Sequence, residues 1–208
     1  MKQENIIHQE NKIIPAQIEK EAKKALSYYP ELKDIEIEFR YKDEIKKSFM
    51  QAQPKFSNLF KGKNSRSYYV FMSRKLSLEG DEFSMDEVPS DVIIGWLGHE
   101  LGHIMDYREK SAVGLMIFGM RYVTSSRYIK EAERAADTYA VNHGMGEYIL
   151  KTKNFILNNS DLSEAYKKRI ARLYLSPEEI VVLVNKLEED LEESDKEKDL
   201  EEVEKDDK

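Results

Sequence analysis

Residues 90–107, SDVIIGWLGHELGHIMDY, constrain the fold more than any other part of this sequence. Pro89 and the apolar periodicity that follows it predict one long helix from Pro89 to Glu109. At 100° per residue the aliphatic side chains form one stripe, and His99 and His103 lie on the opposite side. A third side carries glycines, each of which costs a helix about 1 kcal/mol relative to alanine, so another segment should approach the backbone there. These glycines are Gly95, Gly98 and Gly102.

The histidine side of this helix has the pattern H-E-x-x-H, from His99 to His103. Histidines one helical turn apart point the same way, so both imidazoles can reach one metal ion at about 2.0 to 2.1 Å. Glu100, rotated by about 100°, can lie beside the ion and take a proton from a water that the metal activates. We therefore predict a Zn²⁺ ion bound by both histidines, with Glu100 as general base. The alternative, an ordinary helix with two core histidines, is disfavoured because both lie away from the aliphatic stripe.

Catalytic zinc usually has three protein ligands, so a third is required. The sequence contains no cysteine, and the other histidines, His8 and His143, lie in a loose N-terminus and at a helix end. Glu133 and Asp137 are four residues apart in a helix predicted from Ser126 to His143. Glu133 can complete the metal site, and Asp137 can accept a hydrogen bond from a ligand imidazole. An exposed acidic helix face is the alternative for this pair.

The two motifs together, HELGH followed after 29 residues by ERAAD, resemble those of the gluzincin zinc metallopeptidases. They are most similar to the family of CAAX prenyl endopeptidases and the heat-shock protease HtpX, whose second motif reads E-x-x-A-D. The similarity covers residues 89–144 and implies a zincin-like fold, with a short sheet above the active-site helix. It also implies that an extended substrate pairs with the edge strand of that sheet, for which SYYVFM (67–72) is the expected segment. The implied ligands are His99, His103 and Glu133, with Glu100 as general base and Asp137 supporting His99.

The sequence also departs from related families. The membrane proteases have several spanning helices, whereas the longest apolar run here, AVGLMIFGM (112–120), has about half the length that a span needs. We therefore expect a soluble, minimal form in which this run is buried or interfacial, with peripheral membrane contact as the less favoured alternative. ImmA-like regulators carry a related motif whose glutamate helix ends in Leu-Met-Pro, but the corresponding stretch here is VNHGMG (141–146).

The predicted function is a soluble zinc endopeptidase that acts on a peptide or protein substrate. Two alternatives stay open: a non-catalytic or latent zinc-binding helical module for protein interaction or regulation, and an ImmA-like regulatory protease. Peptide hydrolysis needs a hydrogen-bond donor for the charge that develops on the carbonyl oxygen. The sequence offers Tyr122, Tyr128, Tyr139 and His143 without choosing among them. Asp106 shares the histidine side of its helix and is expected to support a ligand.

The remaining sequence predicts an α+β fold, with a small antiparallel sheet over the active-site helix and the glutamate helix, followed by a helical C-terminal half. Apolar spacing after Pro15 predicts a first helix that ends at Pro30. The predicted strands are DIEIEFRY (34–41), SFMQAQ (48–53) and SYYVFM (67–72). Two shorter helices are predicted between Glu147 and Tyr174, and a last helix begins at a capping box, Ser176–Glu179.

A length of 208 residues predicts one domain. Its expected parts are an N-terminal extension (1–15), a catalytic domain (16–193) with core motifs (89–144) and a helical part (145–193), and an acidic disordered tail (194–208). Residues 188–208 carry thirteen acidic and four basic side chains, a net charge of −9, and the rest of the chain carries +2. This balance argues against nucleic-acid binding. The lack of cysteine and of a secretory signal predicts a cytoplasmic location.

Overall fold

The computed structural model of the chain combines a mixed sheet with packed helices, which confirms the predicted α+β class. It describes residues 5–45, 48–62, 65–78, 81–84, 87–159 and 161–206. The strands are β1 (Ile6–Gln9), β2 (Lys12–Pro15), β3 (Ile37–Glu44), β4 (Met50–Pro54), β5 (Tyr68–Leu78) and β6 (Asp81–Ser84). The helices are α1 (Glu19–Leu26), α2 (Ser90–Glu109), α3 (Ala112–Thr124), α4 (Ser126–Ala140), α5 (Gly146–Asn158), α6 (Glu164–Leu173) and α7 (Pro177–Asp206).

The strands form one sheet in the order β1-β2-β3-β5-β4, with β6 paired to the end of β5. Strand β3 runs parallel to β2 and to β5, where Ile37 lies opposite Tyr68. Strand β4 runs antiparallel to β5, with Met50 opposite Met72. The sheet is therefore mixed, and the prediction of an antiparallel sheet is wrong because β5 inserts between β3 and β4 and runs parallel to β3.

The strand at the edge of the sheet also differs from the expected one. Residues 68–72 of that segment lie in β5, inside the sheet, and four of these five side chains are buried. A continuous apolar run of this kind is typical of an inner strand that is covered on both faces. Strand β4 lies at the edge instead, and it alternates the buried Met50 and Ala52 with the exposed Gln51.

Residues 6–15 of the segment expected to be an N-terminal extension belong to the sheet. Strands β1 and β2 form an antiparallel hairpin, and β2 pairs in parallel with β3, with Lys12 opposite Ile37. Ile14 is buried there, and the ammonium group of Lys12 donates to the carbonyl oxygens of Lys33 and Ile35 at 2.9 and 2.7 Å. The expectation is wrong because strands of four residues carry too short an alternation to stand out in the sequence.

Helix α2 lies at the centre of the protein, and 15 of its 20 residues are buried. Its glycine side faces α4 and α5. A Cβ atom at Gly95 would collide with the backbone of Tyr148, and one at Gly102 would collide with the backbone of Ala136. The predicted close approach at the glycines is confirmed, and it brings α4 against the helix that carries the histidines.

The C-terminal half contains the predicted helices, and the last of them begins at the predicted capping box. The backbone N–H of Ser176 donates to Glu179 at 2.8 Å, and the N–H of Glu179 donates to the Ser176 hydroxyl at 3.2 Å. The acidic tail was expected to be disordered, but the helical backbone continues to Asp206. Glutamate and lysine are strong helix formers, and Lys196 pairs with Glu192 one turn away at 3.9 Å.

Candidate metal centre

The side chains of His99, His103 and Glu133 meet where α2 packs on α4. One ligand atom from each lies within 4.8 Å of the others, and all three residues are buried. Nε2 of His99 is 3.1 Å from Oε2 of Glu133, and Nε2 of His103 is 3.4 Å from the same oxygen. Three ligand atoms that converge in this way can hold a metal ion.

The charges of this cluster favour a shared cation. Burial alone would lower the pKa of His99, but the carboxylates of Asp137 and Glu133 raise it to about 10. Burial alone would raise the pKa of Glu133, but the imidazoles of His103 and His99 hold it well below its ordinary value. A proton on His99 thus stabilises the carboxylates in the metal-free protein, and a bound cation would take its place.

Asp137 orients His99 from the side opposite Glu133. Nδ1 of His99 donates to Oδ1 of Asp137 at 2.8 Å, and the backbone N–H of Leu175 donates to Oδ2 at 3.0 Å. Burial opposes ionisation of Asp137, but the charges of Lys153 and His99 lower its pKa. An ionised carboxylate in this position keeps the proton of the neutral imidazole on Nδ1 and leaves Nε2 free for a metal.

The carboxylate of Glu100 lies beside the cluster but is not one of its converging ligands. It accepts a hydrogen bond of 2.5 Å from the backbone N–H of Ala52, on the edge strand β4. Burial raises the pKa of Glu100, against the lowering effect of His103 and His99. A carboxyl group with a raised pKa at the edge of a cavity can exchange a proton with a molecule bound there.

The second histidine is held by packing. The ring of Tyr107 stacks on His103 with centroids 5.9 Å apart, and its hydroxyl donates to the carbonyl oxygen of Ala52 at 3.3 Å. Nδ1 of His103 is buried without a hydrogen-bond partner among the described residues. Asp106 was expected to support a ligand but pairs with Lys110 instead. The expectation is wrong because that lysine, one turn further along the same face, takes the carboxylate.

A cavity of about 740 Å³ opens beside the cluster. His103, Glu100 and Glu133 lie at its floor, with β4 on one wall and α3 on the other. The α3 wall is mainly apolar, whereas the β4 wall also contributes Gln51 and Gln53.

The side chains around the cavity mouth are exposed. Phe56, which follows β4, is 85% exposed, while Met120 and Val123 on α3 are 65% and 79% exposed. Helix α3 accounts for the apolar run that was predicted to be buried or interfacial, and it buries Leu115 and Phe118 against the body. The exposed apolar side chains of both walls thus border the opening that leads to the group of His99, His103 and Glu133.

The four predicted hydrogen-bond donors lie in different places. Tyr122 lines the cavity, and its hydroxyl donates to Glu133. His143 stacks on Tyr29 with centroids 4.4 Å apart, away from the cavity. Two other candidates, Tyr128 and Tyr139, are not among the residues that line it.

Arg169 is a cavity residue that sequence reasoning missed. It lies on α6 and lines the same cavity, and its buried Nε has no hydrogen-bond partner among the described residues. A single arginine in a short amphipathic helix gives no local signal, because what places it at the cavity is the packing of α6 on α4.

A scan against protein-family models and searches of curated proteins and of solved structures found no match to this chain. Within the described part of the chain, no helix combines the length and the apolarity needed to cross a membrane. Functional inference therefore depends on the geometry and chemistry of the site itself.

Proposed function

We propose that the protein is a zinc-dependent endopeptidase with a zincin-like arrangement of its sheet edge and active-site helix. The observation that carries this proposal is the convergence of His99, His103 and Glu133. Two of these side chains, His103 and Glu133, line a cavity together with Glu100. Structural zinc is usually enclosed by four protein ligands, whereas catalytic zinc has three and keeps a position open. Three converging side chains, two of which line an open cavity, fit the catalytic type.

The donor set agrees with zinc. Two imidazole nitrogens and one carboxylate oxygen, without a thiolate, form a common ligand set of catalytic zinc in peptidases. The hydrogen bond from His99 to Asp137 is the outer contact that such a histidine normally makes. When bound, zinc would polarise the scissile carbonyl and make a water molecule more acidic.

Glu100 is the proposed general base. Its carboxylate would take a proton from the attacking water and pass it to the amine of the leaving peptide. The pKa of Glu100 is raised by burial, which brings it closer to neutral pH, where one group can both accept and return a proton. The hydrogen bond from Ala52 holds the carboxylate next to the cavity.

Tyr122 and Arg169 are the proposed donors to the charge that would develop on the carbonyl oxygen. The hydroxyl of Tyr122, a cavity residue, donates to Glu133 and would have to turn its single proton from that carboxylate to the substrate. Arg169 lines the same cavity, and its buried Nε has no hydrogen-bond partner among the described residues. Donors that are fixed before reaction contribute most when they meet charge that is absent from the ground state. Loss of either donor should therefore lower kcat more than it raises KM.

The proposed substrate is an extended peptide that lies along β4. Residues of β4 line the cavity. The outward N–H and carbonyl oxygen of Ala52 already bond to Glu100 and Tyr107, so the peptide would pair with the edge of β4 at positions other than Ala52. An exposed strand edge can bind an extended chain through backbone hydrogen bonds. The apolar α3 wall favours bulky apolar side chains on that chain.

The test of the proposed function is cleavage of a library of unfolded peptides by the zinc-loaded protein. We expect cuts that a chelator abolishes and that added zinc restores. Glu131→Gln is the control for general damage, because Glu131 is exposed on α4 and pairs with Arg127 away from the site. Cleavage that persists without metal would refute the proposal.

A zinc-binding module without turnover is the second candidate. It is supported by α7, which runs for 30 residues, takes no part in the proposed chemistry and exposes Val182 and Leu191. For such a module, removal of zinc should sharply lower the unfolding temperature, and no peptide should be cut whether or not zinc is bound.

A further inference from the structure

We propose that Lys153 is a positioning residue of the metal centre, which acts through the carboxylate of Asp137 to hold His99 in its metal-binding orientation. The inference rests on the zinc site of the proposed function but does not require turnover. Lys153 lies on α5 and is 4% exposed. An ammonium group is rarely buried to this extent unless it is paired, so its partner indicates what it does.

Lys153 contacts two side chains, Asp137 and Tyr174, that both contact the imidazole of His99. Its Nζ lies 2.9 Å from Oδ2 and 3.1 Å from Oδ1 of Asp137. The same Nζ lies 4.1 Å from the centre of the Tyr174 ring, and that ring lies 5.3 Å from the imidazole of His99. Lys153 thus contacts both groups that flank the imidazole, the hydrogen-bond acceptor and the aromatic ring.

The packing of α5 on α2 brings Lys153 to this position. Because Gly95 has no side chain, α5 approaches so closely that the hydroxyl of Thr152 lies 3.2 Å from the carbonyl oxygen of Val92. The next residue, Lys153, then reaches Asp137 on α4. One lysine therefore links α5 to the residue that orients a ligand on α2.

The charges around the site show why a cation is needed there. Glu100, Glu133 and Asp137 are three buried carboxylates, and a divalent metal ion would compensate two of them. Lys153 compensates the third, on Asp137. Removing one member of a buried ion pair leaves an uncompensated charge, so without Lys153 the carboxylate would move and His99 would lose its fixed orientation.

The test measures zinc affinity by competition with a chromophoric chelator, together with the visible spectrum of the Co²⁺-loaded protein. We expect Lys153→Met to weaken zinc binding by about 10- to 100-fold, as for other losses of outer contacts to a ligand, and to change the Co²⁺ spectrum. Lys153→Arg keeps the charge and should lie closer to the wild type. Lys151→Met is the matched control, because Lys151 is on the same helix but pairs at the surface with Asp91 and Glu147.

A double variant shows whether Lys153 acts through Asp137. In the Asp137→Asn background, Lys153→Met should cause no further loss of zinc affinity, because the carboxylate on which it acts is gone. This double variant removes both buried charges, so it allows the comparison even if Lys153→Met alone does not fold.

Two results would overturn the proposal. One is a Lys153→Met protein with a lower unfolding temperature but wild-type zinc affinity and Co²⁺ spectrum. The other is a loss of zinc affinity caused by Lys153→Met that is as large in the Asp137→Asn background as in the wild type. If the zinc results agree and no peptide is ever cut, the peptidase proposal fails and the role of Lys153 stands; if the wild type binds no zinc, both fail.

Discussion

The candidate metal centre between α2 and α4 differs from the cavity wall formed by α3 in how its side chains are held. At the centre, His99 and Asp137 are buried and joined by a hydrogen bond of 2.8 Å. On the wall, Met120 and Val123 are exposed and border an open cavity. The side chains of the candidate centre are therefore fixed, as binding of one small ion requires, whereas those of the wall are free to adjust to apolar groups of different size.

This comparison predicts that changes at the centre affect metal binding and changes on the wall affect substrate binding. The largest effect is expected for Glu133→Gln, since it removes a ligand. Zinc affinity should fall by more than about 100-fold, which is the upper range for loss of an outer contact alone. Chelator competition measures this loss, and Glu131→Gln on the same helix should leave the affinity unchanged. Equal affinities for the two variants would remove Glu133 from the site.

The next largest effect is expected where α2 meets α4. A methyl group at Gly102 would collide with the backbone of Ala136, so Gly102→Ala should cost about 1 to 3 kcal/mol of unfolding free energy and also weaken zinc binding. Urea denaturation of the metal-free protein measures the first quantity. Gly119→Ala on α3 meets open space and should be neutral or stabilising by up to about 1 kcal/mol. Equal changes in unfolding free energy for Gly102→Ala and Gly119→Ala would contradict the difference between the centre and the wall.

The centre, unlike the wall, should respond to pH. The pKa of His99 is raised to about 10 in the metal-free protein, so zinc must displace a proton, and its affinity should rise with pH up to that value. At pH 8, calorimetry in buffers with different ionisation enthalpies should show about one proton released per zinc ion.

The unfolding free energy of the metal-free protein should fall as pH rises from 6.5 through about 10, because the raised pKa of His99 stabilises the folded protein only while the histidine is protonated. Zinc binding without proton release would contradict the raised pKa of His99.

The smallest effect is expected on the wall. Val123→Ser should change the free energy of unfolding by no more than about 0.5 kcal/mol and leave zinc affinity unchanged. It should weaken the binding of peptides with bulky apolar residues by about fivefold, or about 1 kcal/mol. Fluorescence anisotropy with the Glu100→Gln protein measures that binding without cleavage. Val182→Ser, an exposed apolar position on α7, is the control, and an equal loss there would show that the wall has no special role.

The same two regions show what the sequence could predict. His99, His103, Glu133 and Asp137 lie on two helices, where local periodicity determines which side chains share a face. The glycine side of α2 indicated that another segment approaches the helix there. The three ligands meet as expected, and Asp137 bonds to His99.

The sheet and the wall depend on contacts between distant segments. The order of strands places β5 between β3 and β4, which no local pattern determines. Lys153 and Arg169 had no signal in the sequence, because their positions depend on how α5 and α6 pack against the body. Asp106 shared the histidine face, but Lys110 competes for its carboxylate. Local sequence therefore predicted the converging side chains and Asp137, but not Lys153 or Arg169.

The most direct test of the central claim compares zinc affinity and peptide cleavage in Glu100→Gln. Glu100 is outside the ligand set, so this variant should bind zinc within a few-fold of the wild type and fold normally. It should also cut the peptides that the wild type cuts at a rate lower by about 100-fold or more, the contribution of a general base. Cleavage at the wild-type rate by the zinc-loaded variant would contradict the account.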